Sequence, residues 1–261
     1  LPIAVAVGIN RFERLLAGAR QMDEHFQHTE LRCNLPVALA LVAIWNNNFL
    51  GCRNLAVVPY DDRLNRLPSY LQQLEMESNG KRITVDGEIA EYATAQVIWG
   101  GVGTNAQHAF FQHLHQGTEP SAVEFIMALT HQRASQEHQD MLVANCIAQA
   151  EGLMRGTSFT QSPAATSPTT LGDLSAHRQS PGNRPSTMVV MDAITPETIG
   201  ALLTLYEHKT FVQGVIWNIN PFDQYGVELG KNLADTILED LGRGELGSHD
   251  RSTSALLARY Q

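Results

Sequence analysis

The chain of 261 residues holds only three cysteines, Cys33, Cys52 and Cys146, far apart and without a Cys-x-x-Cys pair. No zinc spacing appears, and a reduced, cytoplasmic protein is expected. Ten histidines include the group His108, His113 and His115, but no His-Glu-x-x-His follows, so no metal centre is expected. No run approaches a membrane span: the longest apolar stretch, residues 37–45, is about half the ~20 residues required. Basic residues are the minority, 18 against 27 acidic, for a formal net charge of -9. That argues against a nucleic-acid partner, which needs a basic stripe. An anionic small substrate stays open, because local basic groups can still face a phosphate. A complete Gly-x-Gly-x-x-Gly is also missing: Gly101-Val102-Gly103 lacks its third glycine, which removes a nicotinamide-binding reading. The chain has no Met at position 1 and opens inside an apolar run, residues 1–8, with no basic segment of a signal peptide before it. It reads as beginning mid-protein, as a fragment would.

What is present is a core. Hydrophobic residues make up 43% and charged residues 17%, the balance of a packed globular chain long enough for one large domain or a domain with an appendage. Helical spacing recurs over residues 11–26, where Phe12, Leu15, Leu16, Ala19, Met22 and Phe26 share a face. Residues 36–46 read as a buried helix with Pro36 in its first turn. Further helices are expected over 68–75, 105–116, 138–155, 196–217, 226–241 and 252–260. Short apolar strands are expected at 54–59, 96–99, 122–128 and 187–191. Strands alternating with helices imply an α/β fold, a doubly wound parallel sheet flanked by helices, with a helical C-terminal tail. Residues 157–181, rich in Ser, Thr, Pro and Gly, interrupt the pattern and are expected to be a flexible surface excursion.

Three segments carry candidate chemistry. Gly103-Thr104-Asn105-Ala106-Gln107-His108 follows a strand, with Thr104 or Asn105 as the expected helix N-cap and His108 in the first turn. That is the crevice beyond a strand's carboxyl end, where ligands of α/β sheets bind. The positive end of the helix would favour a neutral imidazole able to move a proton. Read alone, His108 is also compatible with an ordinary helix-surface histidine, and His113 and His115 read as solvated or structural. Met76-Glu77-Ser78-Asn79-Gly80-Lys81 places Glu77 in a turn, with Gln73 one helical turn earlier on the same side. Glu75 and Glu77 do not share a face, so they form no obvious carboxylate dyad. A lone loop glutamate is usually solvated. Phe222-Asp223-Gln224-Tyr225-Gly226-Val227-Glu228-Leu229-Gly230-Lys231 puts Gln224 just before a helix and Lys231 on its second turn. Trp217, Phe222 and Tyr225 are expected to desolvate Lys231 in part. A solvated helix lysine is the ordinary alternative.

In their order along the chain, the three segments resemble the phosphoglucose isomerase family. Matching stretches include Pro59-Tyr60-Asp61, His115-Gln116-Gly117-Thr118, Gly182-Asn183-Arg184-Pro185-Ser186, Leu205-Tyr206-Glu207-His208-Lys209 and Ser248-His249-Asp250. The likeness covers almost the whole chain apart from the excursion. It implies a sugar isomerase fold of flavodoxin-like type over residues 1–217, and a helical segment, 218–261, that carries the lysine motif. It implies Glu77 as the base, His108 and Lys231 as ring-opening groups, and Gln73 and Gln224 lining the sugar site. The implied reaction interconverts glucose 6-phosphate and fructose 6-phosphate through a cis-enediol, with no cofactor, in a homodimer that shares its active sites.

Departures accompany the likeness. Gly100-Gly101-Val102-Gly103 stands where many relatives have Gly-Glu-Pro-Gly, and Ala106 replaces a common glycine. The excursion lacks the longer helical hook of some relatives. The family's Ser/Thr-rich phosphate-binding turns and its enediolate-stabilising arginine match no residue of this chain, so the chain alone is expected to be poorly active. The competing reading is a non-catalytic sugar-phosphate binding module of the same fold. Retention of Glu77, His108 and Lys231 together favours the enzyme, because a sensor needs none of them as acid or base.

Overall fold

A computed structural model describes residues 1–131, 134–157, 176–244 and 247–260. Its centre is a four-stranded, all-parallel sheet of β1 (Asn54–Pro59), β2 (Val97–Gly100), β3 (Ala122–Thr130) and β4 (Ser186–Ala193) in the order β2-β1-β3-β4. The chain moves outward from β1 to β2, then returns past β1 to build β3 and β4. The order therefore reverses between β1 and β3, the kind of position at which α/β sheets bind ligands.

The helices follow the alternation expected from sequence. They are α1 (Pro2–Val7), α2 (Ile9–His28), α3 (Leu35–Ile44), α4 (Leu67–Leu71), α5 (Gly103–Ala109), α6 (Phe111–Gln116), α7 (Gln136–Arg155), α8 (Pro196–Ile216), α9 (Tyr225–Arg243) and α10 (Arg251–Tyr260). Both faces of the sheet are covered, which is why β1 is apolar without alternation. Leu55 and Val57 point into one layer with Leu39, Leu71, Ile126, Leu205 and Tyr206. Ala56 and Val58 point into the other, with Phe111, Leu114, Phe125, Cys146 and Leu153.

Helix α8 lies on the first layer and is set by its start. Pro196 occupies its first turn, and Thr195 and Thr198 form a reciprocal cap. It crosses α2 where both helices carry glycine. A Cβ on Gly200 would lie 1.9 Å from the Leu15 carbonyl oxygen, and one on Gly18 would lie 1.8 Å from that of Glu197. No side chain fits at that crossing.

Several boundaries differ from the periodicity. The opening apolar run forms α1. The helix expected to end near residue 46 runs on into a π-helical turn, Trp45–Phe49. The one expected over 68–75 is α4 followed by a second π-helical turn, Gln72–Glu77. The single helix expected over 105–116 is two, because Phe110 leaves the helical region at φ -141°. Most of the expected excursion, residues 158–175, lies outside the described residues. Its described ends meet where Thr157 and Ser180 exchange hydrogen bonds of 2.9 Å.

By internal contacts the chain divides into two units, Leu1–Pro221 and Phe222–Gln261. The first contains the sheet and its covering helices. The second contains α9 and α10, with His249 bonded to Asp240 at 3.0 Å.

Candidate active site

The Glu77 segment is built around its neighbours. The π-helical turn Gln72–Glu77 lies along β2: the Gln72 amide donates to the Ile98 carbonyl at 3.0 Å, and the Ile98 N–H donates to the Met76 sulfur at 3.3 Å. Two residues before Glu77, Glu75 turns inward, is 5% exposed, and accepts a hydrogen bond from fully buried Lys209 of α8 at 2.7 Å. Two residues after it, the amide of fully buried Asn79 donates to the Thr210 carbonyl at 3.0 Å and to Gln213 Oε1 at 3.3 Å. Between these anchors Glu77 is half-buried. The backbone of the turn is also held, since Lys81 Nζ donates to the carbonyls of Glu77 and Ser78 at 2.7 and 2.9 Å. Gln73 is exposed four positions before Glu77, on the same side of the turn.

Glu75 and Glu77 thus diverge, as their spacing requires. Glu75 belongs to a polar cluster that sequence reading did not find. Lys209 sits 5.4 Å from the centre of the Tyr206 ring, and the Tyr206 hydroxyl donates to Glu124 of β3. Burial pushes the Glu75 carboxyl up, and Lys209 pulls it back only in part. Burial would push Lys209 down, but Glu75 and Glu124 outweigh it and hold the ammonium above its usual range. The one signal in sequence was a lysine placed mid-helix among Leu205, Tyr206 and Thr210.

The Gly103 segment is fixed by Tyr60. A Cβ on Gly103 would lie 2.2 Å from the Tyr60 ring, and the Gln107 amide donates to the Tyr60 hydroxyl at 2.8 Å. Burial raises that phenol to about 12, so it stays neutral and acts as a hydrogen-bonding post. The glycine and the glutamine of the motif therefore hold α5 against the end of β1, and His108 is left exposed. The expected place of His108 needs correction. Helix α5 begins at Gly103, after Val102 with no side-chain cap, so His108 lies in its last turn and away from the positive end. Glu77, Gln73 and His108 share no hydrogen bond with one another.

In the second unit Gln224 is the N-cap of α9 without a capping side-chain bond, and Lys231 lies on the second turn, exposed. Within the second unit the expected aromatic shelter of Lys231 is not formed. Phe222 and Tyr225 are 55% and 71% exposed, while Trp217 is buried in the first unit with Ile44 and Ile219. Hydrophobic residues adjacent in sequence face different surroundings once α8 has ended.

A family model of phosphoglucose isomerase matches residues 1–257 of the chain. The chain belongs to the phosphoglucose isomerase family. It is 52% identical to a glucose-6-phosphate isomerase of Chlorobium luteolum, over 100% of this chain and 48% of that protein. Another glucose-6-phosphate isomerase, from Burkholderia mallei, is 51% identical over 99% of this chain and 48% of its own length. Among solved structures, a glucose-6-phosphate isomerase from Chlamydia trachomatis superposes with a TM-score of 0.82 at 37% identity, covering 97% of this chain and 46% of that one. The chain thus spans about half the length of these relatives. The parallel sheet and its two helical layers agree with that family structure. No helix among the described residues is long and apolar enough to cross a membrane.

Proposed function

We propose that the protein carrying this chain is an aldose–ketose isomerase that interconverts glucose 6-phosphate and fructose 6-phosphate. The observation that carries the reading is the Glu77 turn, in which a half-buried glutamate is held between two buried, bonded neighbours. Membership of the phosphoglucose isomerase family supports it. In this reading His108 and Lys231 exchange protons with the ring oxygen and the C1 hydroxyl to open the sugar. The Glu77 carboxylate then removes the C2 proton while the C1 oxygen gains one, giving the cis-enediol. Glu77 returns its proton to C1 while the C2 hydroxyl loses its own, leaving the ketose. One carboxylate serves both carbons from one face, and no metal or nicotinamide enters. Gln73 and Gln224 hydrogen-bond the sugar hydroxyls.

The reading includes a homodimer, with His108 supplied to the neighbouring subunit's site. Its exposure, and its lack of any hydrogen bond to Glu77, suit that role. All three cysteines are free, which suits the cytoplasm in which the reading places the protein. Because no residue here matches the enediolate-stabilising arginine, full activity requires the additional length that relatives carry.

The test is a coupled assay of fructose 6-phosphate to glucose 6-phosphate, on this chain and on a form extended to its relatives' length. Activity is expected in the extended form and little in the chain alone. Glu77→Gln should lower kcat by about 10²–10⁴-fold, the range for removing a placed general base. Sugar-phosphate binding without turnover in the extended form would instead identify a binding module.

A further inference from the structure

We infer that Lys209, through Glu75, is a positioning residue for Glu77: α8 clamps the π-helical turn on both sides of that carboxylate and sets the direction in which it points. The inference rests on the assignment of Glu77 as the base. Its starting point is a symmetry in the contacts. Residues two before and two after Glu77 are both buried, and both are bonded to the same helix. Glu75 accepts from the Lys209 ammonium at 2.7 Å, and the Asn79 amide donates to the Thr210 carbonyl at 3.0 Å and to Gln213 Oε1 at 3.3 Å. Ser78, between the second anchor and Glu77, is also buried. A π-helical turn is wider than an α-turn, occurs mostly as a single turn, and is frequent at functional sites. Left alone it could relax to α-helical winding, which would rotate Glu77 away from its present direction. The two anchors prevent that.

The cluster is costly as a device for stability alone. A buried ion pair is often no better than apolar residues of the same volume, because both charges lose water. Here a second carboxylate, Glu124, joins it and is satisfied by the Tyr206 hydroxyl. Tyr206 and Lys209 lie three positions apart on α8, so one face of α8 links β3, through Glu124, to the Glu77 turn. The arrangement refers the carboxylate to the centre of the sheet rather than to a surface loop. A reacting group displaced by about 1 Å can lose on the order of 10²-fold in rate, so such a reference has catalytic weight.

The experiment uses the extended protein and removes both charges together, as Glu75→Leu with Lys209→Met, so that no lone charge stays buried. We expect kcat to fall by about 10-fold or more, with KM for fructose 6-phosphate within about twofold of wild type. Glucose 6-phosphate deuterated at C2 gives a second reading. A carboxylate that points less firmly holds the abstracted deuteron less well, so the fraction of label delivered to C1 should fall as exchange with water rises. Glu197→Gln, on the far side of α8, is the control: it perturbs an ion pair of that helix but should leave kcat and label transfer unchanged. If the double variant does not fold, Gln213→Leu weakens the other anchor and should lower kcat a few-fold at unchanged KM. A folded double variant, or Gln213→Leu where that is used, with parental kcat and parental label transfer overturns the inference. An extended wild type without isomerase activity overturns the reading beneath it and the positioning role together. Wild-type activity lost in Glu77→Gln but kept in the double variant overturns the clamp alone.

Discussion

At the scale of residues, the electrostatics most open to measurement lie at the start of α8. Arg14 and Glu197 form a two-pronged pair, with contacts of 2.5 and 3.0 Å. Arg14, the Glu197 backbone N–H and the Thr195 hydroxyl draw the carboxyl down from 4.5 to about 2. A carboxyl whose folded value is depressed stabilises the fold above its unfolded value, and that contribution is lost as pH falls through the folded one. The pair is solvent-exposed, so salt screens it and the effect is modest. The urea midpoint of the wild type should exceed that of Glu197→Gln at pH 6 and low salt. The gap should close steadily between about pH 4.5 and 2. A gap that widens on acidification would contradict the assignment.

Elements meet most tightly where α2 crosses α8. Gly200→Ala would drive a methyl group into the Leu15 carbonyl, and backbone cannot yield as a side chain can. Overpacking of this kind costs about 1–3 kcal/mol, and chemical denaturation should show a loss in that range. Gly242 in α9 is the contrast. Nothing lies within 4 Å of its added Cβ. Alanine there should add about 0.5–1 kcal/mol of helix stability, read by circular dichroism. The same residue type thus has opposite consequences, and the packing of the partner element decides which.

For the whole molecule, stability is unevenly distributed between the two units. Helix α8 carries nine buried residues, from Gly200 to Gly214. Helix α9 carries none, and its apolar Leu229 and Leu238 are 67% and 69% exposed. Helices of this length owe most of their stability to a packed face. Backbone amides of α9 in the isolated chain should therefore exchange with solvent far sooner than those of α8. Mass-spectrometric hydrogen exchange would resolve the two. Equal protection of α8 and α9 would show that the second unit is stabilised by more than its described contacts.

The alternation of apolar runs determined the α/β class, all four strands and the sheet's two covered faces. β1 in particular is apolar at every second residue on both sides, and only a doubly covered sheet demands that. The resemblance of three segments to the phosphoglucose isomerase family, rather than their local pattern, singled out Glu77, His108 and Lys231, whose roles are proposals. Local pattern could not determine what depends on partners distant in the chain. That Glu75 turns inward is decided by Lys209, 134 positions away. Where α5 begins is decided by the Tyr60 ring, against which only Gly103 fits. The break at Phe110 and the widened turn before Ser78 likewise leave no trace in hydrophobic period, since an inserted residue or a lone non-helical angle shifts a phase without changing composition. Sequence specifies which residues must be buried, whereas the reach of a charged or aromatic side chain across the packed layers decides where each is held.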